Sequence, residues 1–166
     1  MSIIHALQQE LDQEKETTRR VLERVPGDRL SWKPHDKSMS LGELAGHIAN
    51  LPMWCSATLQ NTTLDLDAYS NDTRPRQPES QSALLKEFDA KVKAARALLA
   101  ERSDPELLAA WTLKKAGQEI FTMPRISAIR SFVMNHLIHH RGQLSVYLRL
   151  KNVPIPPIYG PTADEQ

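Results

Sequence analysis

The apolar residues of the chain recur at helical spacing in four long segments, separated by stretches with no period. From Ile3 to Val25, the residues Ile4, Leu7, Leu11, Val21, Leu22 and Val25 form a stripe that predicts a first helix, and Pro26-Gly27-Asp28 stops it. Its middle, Gln13 to Arg20, is almost wholly polar, which predicts a segment that protrudes or lines something wet. Ser40 and Glu43 have the spacing of a capping box, and Leu41, Leu44, Ile48, Leu51 and Cys55 follow as a stripe. They predict a second helix from about Leu41 to Leu59, kinked or divided by Pro52, which lacks a backbone donor. Leu84, Leu85, Phe88, Val92, Ala95, Leu98 and Leu99 predict a third helix over Ser80–Arg102. Ile129, Val133, Leu144 and Tyr147 or Leu148 predict a fourth, opened by Pro124-Arg125 and running to about Lys151.

The intervening stretches read differently. Asn61 to Ser80 is polar and aperiodic, a long loop of the kind that serves as a crossover between helices. Trp111 to Met123 gives two short β-prone runs around Ala116-Gly117, a small hairpin. Beyond the last helix, the proline-rich stretch from Val153 to Pro161 predicts an extended tail across the bundle end. With no internal repeat and no domain boundary, residues 1–166 are expected to form one all-α domain, a four-helix bundle with a long crossover loop.

Composition removes several classes of function. Lysine plus arginine number 21 against 20 aspartates plus glutamates, so no basic field exists to drive nucleic-acid binding. No apolar run approaches the roughly 18–20 residues of a membrane span, and the N-terminus lacks the pattern of a signal peptide. Cys55 is the single cysteine, which excludes an intrachain disulfide and suits a reducing cytoplasm.

The candidate chemistry lies on the last helix. His136 and His140 are four residues apart, so their imidazoles leave one face about 40° apart. That face carries the apolar stripe, and buried imidazoles need hydrogen bonds or a metal. Bundles build metal sites from inward side chains on facing helices, and His47, on the flank between Leu44 and Leu51, is the natural third ligand. Three neutral imidazoles leave a divalent ion with its full charge and an open position, where a water or thiol is acidified. Nitrogen ligands suit zinc, nickel, iron, cobalt or copper, with zinc and nickel leading. The same pair also fits two hydrogen-bonded core histidines, and no HExxH glutamate accompanies it.

Around the triad, Glu43 has two readings, the capping box or an acceptor holding His47. Trp32, Trp54 and Tyr159 are candidate pocket walls. His139 points away from the pair, and His5 and His35 read as ordinary. Asn135, Arg141 and Gln143 read as solvated helix-face residues, and Cys55 as inert packing. Gly142 inside a helix costs about 1 kcal/mol against alanine, which a close approach by the tail or a second subunit would explain.

Two runs resemble a known family. The segment Leu30 to Trp54, LSWKPHDKSMSLGELAGHIANLPMW, resembles the second-helix signature of the DinB-like (YfiT-like) metalloenzyme family. The end of the chain, HLIHHRGQLSVYLRL from His136 followed by PIPPIYGPTADE from Pro154, is similar to that family as well. The resemblance implies up-down-down-up topology and a three-histidine divalent metal site on His47, His136 and His140. It also implies a homodimer and a small-molecule substrate. The implied activity is that of an S-transferase or isomerase using a low-molecular-weight thiol such as bacillithiol or mycothiol, in detoxification or stress response. A metal-dependent hydrolase and a non-catalytic metal-binding stress protein are the alternatives.

Overall fold

The computed structural model describes residues 2–68 and 76–165. Helix α1 spans Ile3–Leu22. Its start is held twice: Ser2 Oγ accepts from His5 N, and the Asp104 carboxylate accepts from the N–H groups of Ile3 and Ile4, both at 3.0 Å. These contacts satisfy donors that a helix start leaves unpaired. A short 3₁₀ turn, Gly27–Arg29, follows. Helix α2 runs over Leu41–Asn50 behind a complete Ser40/Glu43 capping box. Leu51 and Pro52 keep helical dihedrals, yet the hydrogen-bond ladder breaks there, and Met53–Gln60 continues as α3. Helix α4 is Gln81–Ala100, capped by Ser80. A single-turn α5, Asp104–Leu108, leads to the sheet.

The sheet corrects the all-α expectation. Strands β1 (Thr63–Asp65), β2 (Ala110–Lys115) and β3 (Gln118–Pro124) lie in the order β1-β2-β3. β2 and β3 form the expected hairpin, and Ala116 and Gly117 both take positive φ, 50° and 75°. Two consecutive left-handed residues match the twist of the flanking strands. β1 pairs parallel to β2, with Thr63 opposite Thr112. It is too short to show alternation: only Leu64 is buried, among threonines and aspartates that read as loop. The crossover expected over Asn61–Ser80 therefore begins as a strand, and residues 69–75 lie outside the described part.

After β3 the chain enters α6 (Arg125–Ile129), a π-helical stretch (Arg130–Asn135) and α7 (His136–Leu150). One continuous α-helix was expected here. The wider turn changes the register between α6 and α7, so Val133 and Met134 are both buried instead of one stripe position.

α1 packs against α4 and α7, and α2 packs against the same two helices. Their apolar faces enclose a core that includes Leu22, Leu44, Ile48, Phe88 and Leu144. A second, smaller core of Ala57, Leu64, Trp111, Leu113 and Ala128 lies under the sheet. The polar middle of α1 differs from its expectation. Glu14, Thr17 and Thr18 are buried, and Glu14 and Thr18 meet the buried Arg141 of α7 rather than solvent. After α7, residues 153–165 carry no helix or strand. Ile155 is buried in the main core, and Asp164 accepts from Arg149 and from Ile155 N. Gly142 has open space around it, so the tail does not explain that glycine. Among the described residues, no helix is long and apolar enough to cross a membrane.

Candidate metal centre

α2 and α7 pack side by side, which brings His47 to His136 and His140 although 89 residues separate the first two. One ligand atom from each histidine lies within 4.8 Å of the others. Nε2 of His47 and Nε2 of His136 are 3.4 Å apart. Zinc–nitrogen bonds of about 2.0–2.1 Å at tetrahedral angles put two ligand nitrogens about 3.3 Å apart, so this pair already has the spacing. The His47 ring sits edge-on to His140 with centroids 4.6 Å apart, and His136 and His140 are also 4.6 Å apart.

The environment keeps these rings neutral, the protonation state in which imidazole ligates. Burial, reinforced by the neighbouring His140 and His136, pushes His47 down to about 4. Burial also lowers His136 and His140, against the opposing pull of their own hydrogen bonds. For His140 the partner is a side chain, Gln143, whose Oε1 lies 2.7 Å from Nδ1, and this contact orients the His140 ring. Histidine ligands are commonly held through their second nitrogen in this way. A π turn beside a functional group is likewise a recurring arrangement.

The other residues singled out in the sequence divide among different places. Glu43 closes the capping box, with Oε2 accepting from Ser40 N at 2.7 Å, and faces Lys33 at 3.7 Å. Trp32 stands edge-on to Tyr147, 5.7 Å between centroids, with the Lys151 ammonium over its face. That is the C-terminal part of α7, about two turns beyond His140. Trp54 meets Phe132, one helical turn before His136, with ring centroids 6.3 Å apart. The Tyr159 ring is exposed, but its hydroxyl reaches Arg141 and Glu14. Cys55 is buried, and burial pushes its thiol up to about 12, which removes it as a nucleophile. His139 is exposed, its ring 4.9 Å from His140.

Two residues near the triad do more than their sequence reading gave them, and a third had no sequence reading at all. Gln143 and Arg141 read as solvated; one bonds a triad histidine, and the other is 1% exposed. Arg141 Nη1 donates to Glu14 Oε2 at 2.6 Å and to Thr18 Oγ1 at 3.0 Å. The third is Gly46, immediately before His47. A Cβ there would sit 1.9 Å from the Arg76 carbonyl oxygen, so the loop crosses α2 in contact with its backbone.

Comparison with known proteins agrees with this architecture. The uncharacterized protein YrdA of Bacillus subtilis (strain 168) is 28% identical over 153 residues, covering 92% of this chain and 85% of YrdA. A crystal structure of a DinB-like protein from Bacillus cereus ATCC 10987 superposes with a TM-score of 0.69 at 24% identity, over 91% of this chain and 94% of that one. The DinB-like protein YjoA from Bacillus subtilis gives the same TM-score at 20% identity, over 93% and 98%. At these identities the likeness is one of fold. The model of the DinB family, however, matches residues 1–166, and a chain matched over that whole range belongs to the DinB family.

Proposed function

We propose that this chain is a divalent-metal-dependent enzyme whose ion is held by His47, His136 and His140, and that it transfers or isomerises groups through a low-molecular-weight thiol. The observation that carries the reading is the cluster itself: three half-buried or buried imidazoles converge within 4.8 Å, and no fourth residue joins that set among the described residues. A structural zinc site generally fills four positions with protein ligands; a reactive one keeps a position open. A bound divalent ion would supply Lewis acidity, lowering the pKa of a thiol or water presented to it.

The chain's own residues account for the rest. His47, His136 and His140 offer neutral donors, and Gln143 fixes the orientation of His140. Glu43, the carboxylate one turn before His47, is engaged with Ser40 and Lys33, which disfavours it as the general base of a hydrolase. Zinc and nickel are the ions to test first.

The reading includes one domain over residues 1–166, with the long helices in the up-down-down-up order of a four-helix bundle. It also includes a cytoplasmic protein that acts in detoxification or stress response. A homodimer is supported by Val146 and Leu150, each 57% exposed and one turn apart on the outer side of α7. The test is metal content by elemental mass spectrometry on tag-free wild type and His140→Ala. About one divalent ion per chain, lost in the variant, is expected for a site of this ligand set. Wild type that takes up neither zinc nor nickel ends the enzyme reading.

A further inference from the structure

The three histidines are not held alike. The hydrogen-bond distance found for His136 is to another triad member, 3.4 Å between its Nε2 and that of His47. His140 depends on a side chain: its Nδ1 lies 2.7 Å from Oε1 of Gln143, one turn further along α7. An amide oxygen only accepts. The hydrogen of neutral His140 is therefore on Nδ1, and Nε2 keeps its lone pair. His47 and His136 likewise approach each other through Nε2.

We infer that Gln143 is a positioning residue for the metal centre, selecting the His140 tautomer that presents Nε2 as the ligand atom. The inference rests on the three-histidine site proposed above. Free imidazole samples both tautomers, and the wrong one points a hydrogen at the ion's place. An acceptor on the second nitrogen removes that population, holds the ring against rotation and makes the ligating nitrogen more basic. Gln143 suits the task because it is exposed: its amide contributes to the site without filling core volume, so its loss leaves no cavity. The i, i+3 spacing places it over the same turn as the ring it holds.

Two measurements test this. The first is zinc affinity, by competition with a chromophoric chelator, for wild type, Gln143→Ala, Gln143→Glu and His140→Ala. Gln143→Ala is expected to bind roughly 10- to 100-fold more weakly than wild type. Gln143→Glu restores an acceptor on Nδ1 and should recover wild-type affinity or better. The melting temperature of metal-free Gln143→Ala should stay near wild type, which a general structural defect would not allow. If Gln143→Ala binds as tightly as wild type while His140→Ala does not bind, the role of Gln143 is overturned and the triad stands. If wild type itself binds no zinc, the triad reading fails and takes this inference with it.

The second measurement needs no metal. Long-range nitrogen–proton NMR of the apoprotein at neutral pH assigns the His140 tautomer directly. The expected result is a proton on Nδ1 in wild type that redistributes toward Nε2 in Gln143→Ala. A wild-type proton already on Nε2 would mean that the amide is turned the other way, donating to Nδ1, and would refute the assignment.

Discussion

Replacing Arg141 by Met tests the reading of α1 and α7 at its most exacting point. Arg141 and Glu14 are 1% and 5% exposed, and their charged atoms lie 2.6 Å apart. Thr18 Oγ1 accepts a second guanidinium hydrogen at 3.0 Å, and the Tyr159 hydroxyl accepts from Nη2 at 2.5 Å while donating to Glu14. Arg141→Met keeps most of the volume and removes the cation, so the buried Glu14 carboxylate keeps only the Tyr159 hydroxyl as a partner. Breaking a buried pair from one side costs about 3–5 kcal/mol, because the surviving charge is uncompensated. At roughly 2–4 °C per kcal/mol for a chain of this size, the melting temperature should fall by about 6–20 °C. The assay is thermal and urea unfolding followed by circular dichroism on metal-free protein, so that ion binding adds no stability of its own. The companion variant Glu14→Leu/Arg141→Met removes both charges and should recover most of the loss, since apolar replacement of a whole pair is often neutral. A single Arg141→Met within about 1 kcal/mol of wild type would refute the reasoning, since that is the range of an exposed pair. So would a double variant as unstable as the single.

Other regions give shorter tests. In the metal-free protein His47 titrates at about 4, below the ordinary value of 6.5, so the unfolded chain binds more protons between those limits. The stability contributed by neutral His47 is fully present above pH 6.5 and declines as pH falls toward 4; urea midpoints over this range should show that slope, and His47→Gln should reduce it. Gly46→Ala should destabilise by about 1–3 kcal/mol in chemical denaturation, since the new Cβ overlaps the Arg76 carbonyl and either the loop or α2 must shift. Cys55 should react with a disulfide reagent only after denaturation, and a folded protein that reacts at once would contradict its burial. Adding zinc should raise the melting temperature of wild type and leave that of His140→Ala unchanged, as measured by scanning calorimetry.

What was legible in the sequence follows from how far each signal reaches along the chain. The Ser40/Glu43 box, the break at Pro52 and the Ala116-Gly117 turn are decided within a few residues, and each stands where its local chemistry put it. β1 was not legible, because three residues carry no period and the strand exists only through its partner β2. The π-helical stretch was missed for the opposite reason: an extra residue in a long helix leaves the composition unchanged and alters only the register. The convergence of His47 on His136 and His140 is legible in flank and stripe positions, whereas Gln143 and Arg141 read as solvated helix-face residues.

A signal for Arg141 did exist. Leu7, Leu11, Glu14, Thr18 and Val21 advance along α1 by alternating steps of four and three, so Glu14 and Thr18 occupy core-facing positions without apolar side chains. A carboxylate at such a position requires a buried cation nearby. The neighbour that packs there is α7, and its buried arginine directly follows His140. Successive residues on a helix diverge by about 100°, which lets His140 face α2 while Arg141 faces α1. The rotation of α7 that satisfies the buried ion pair is thus the same rotation that brings the histidines to His47. Sequence reading set the polar middle of α1 apart from the metal triad, yet both are consequences of one helix orientation.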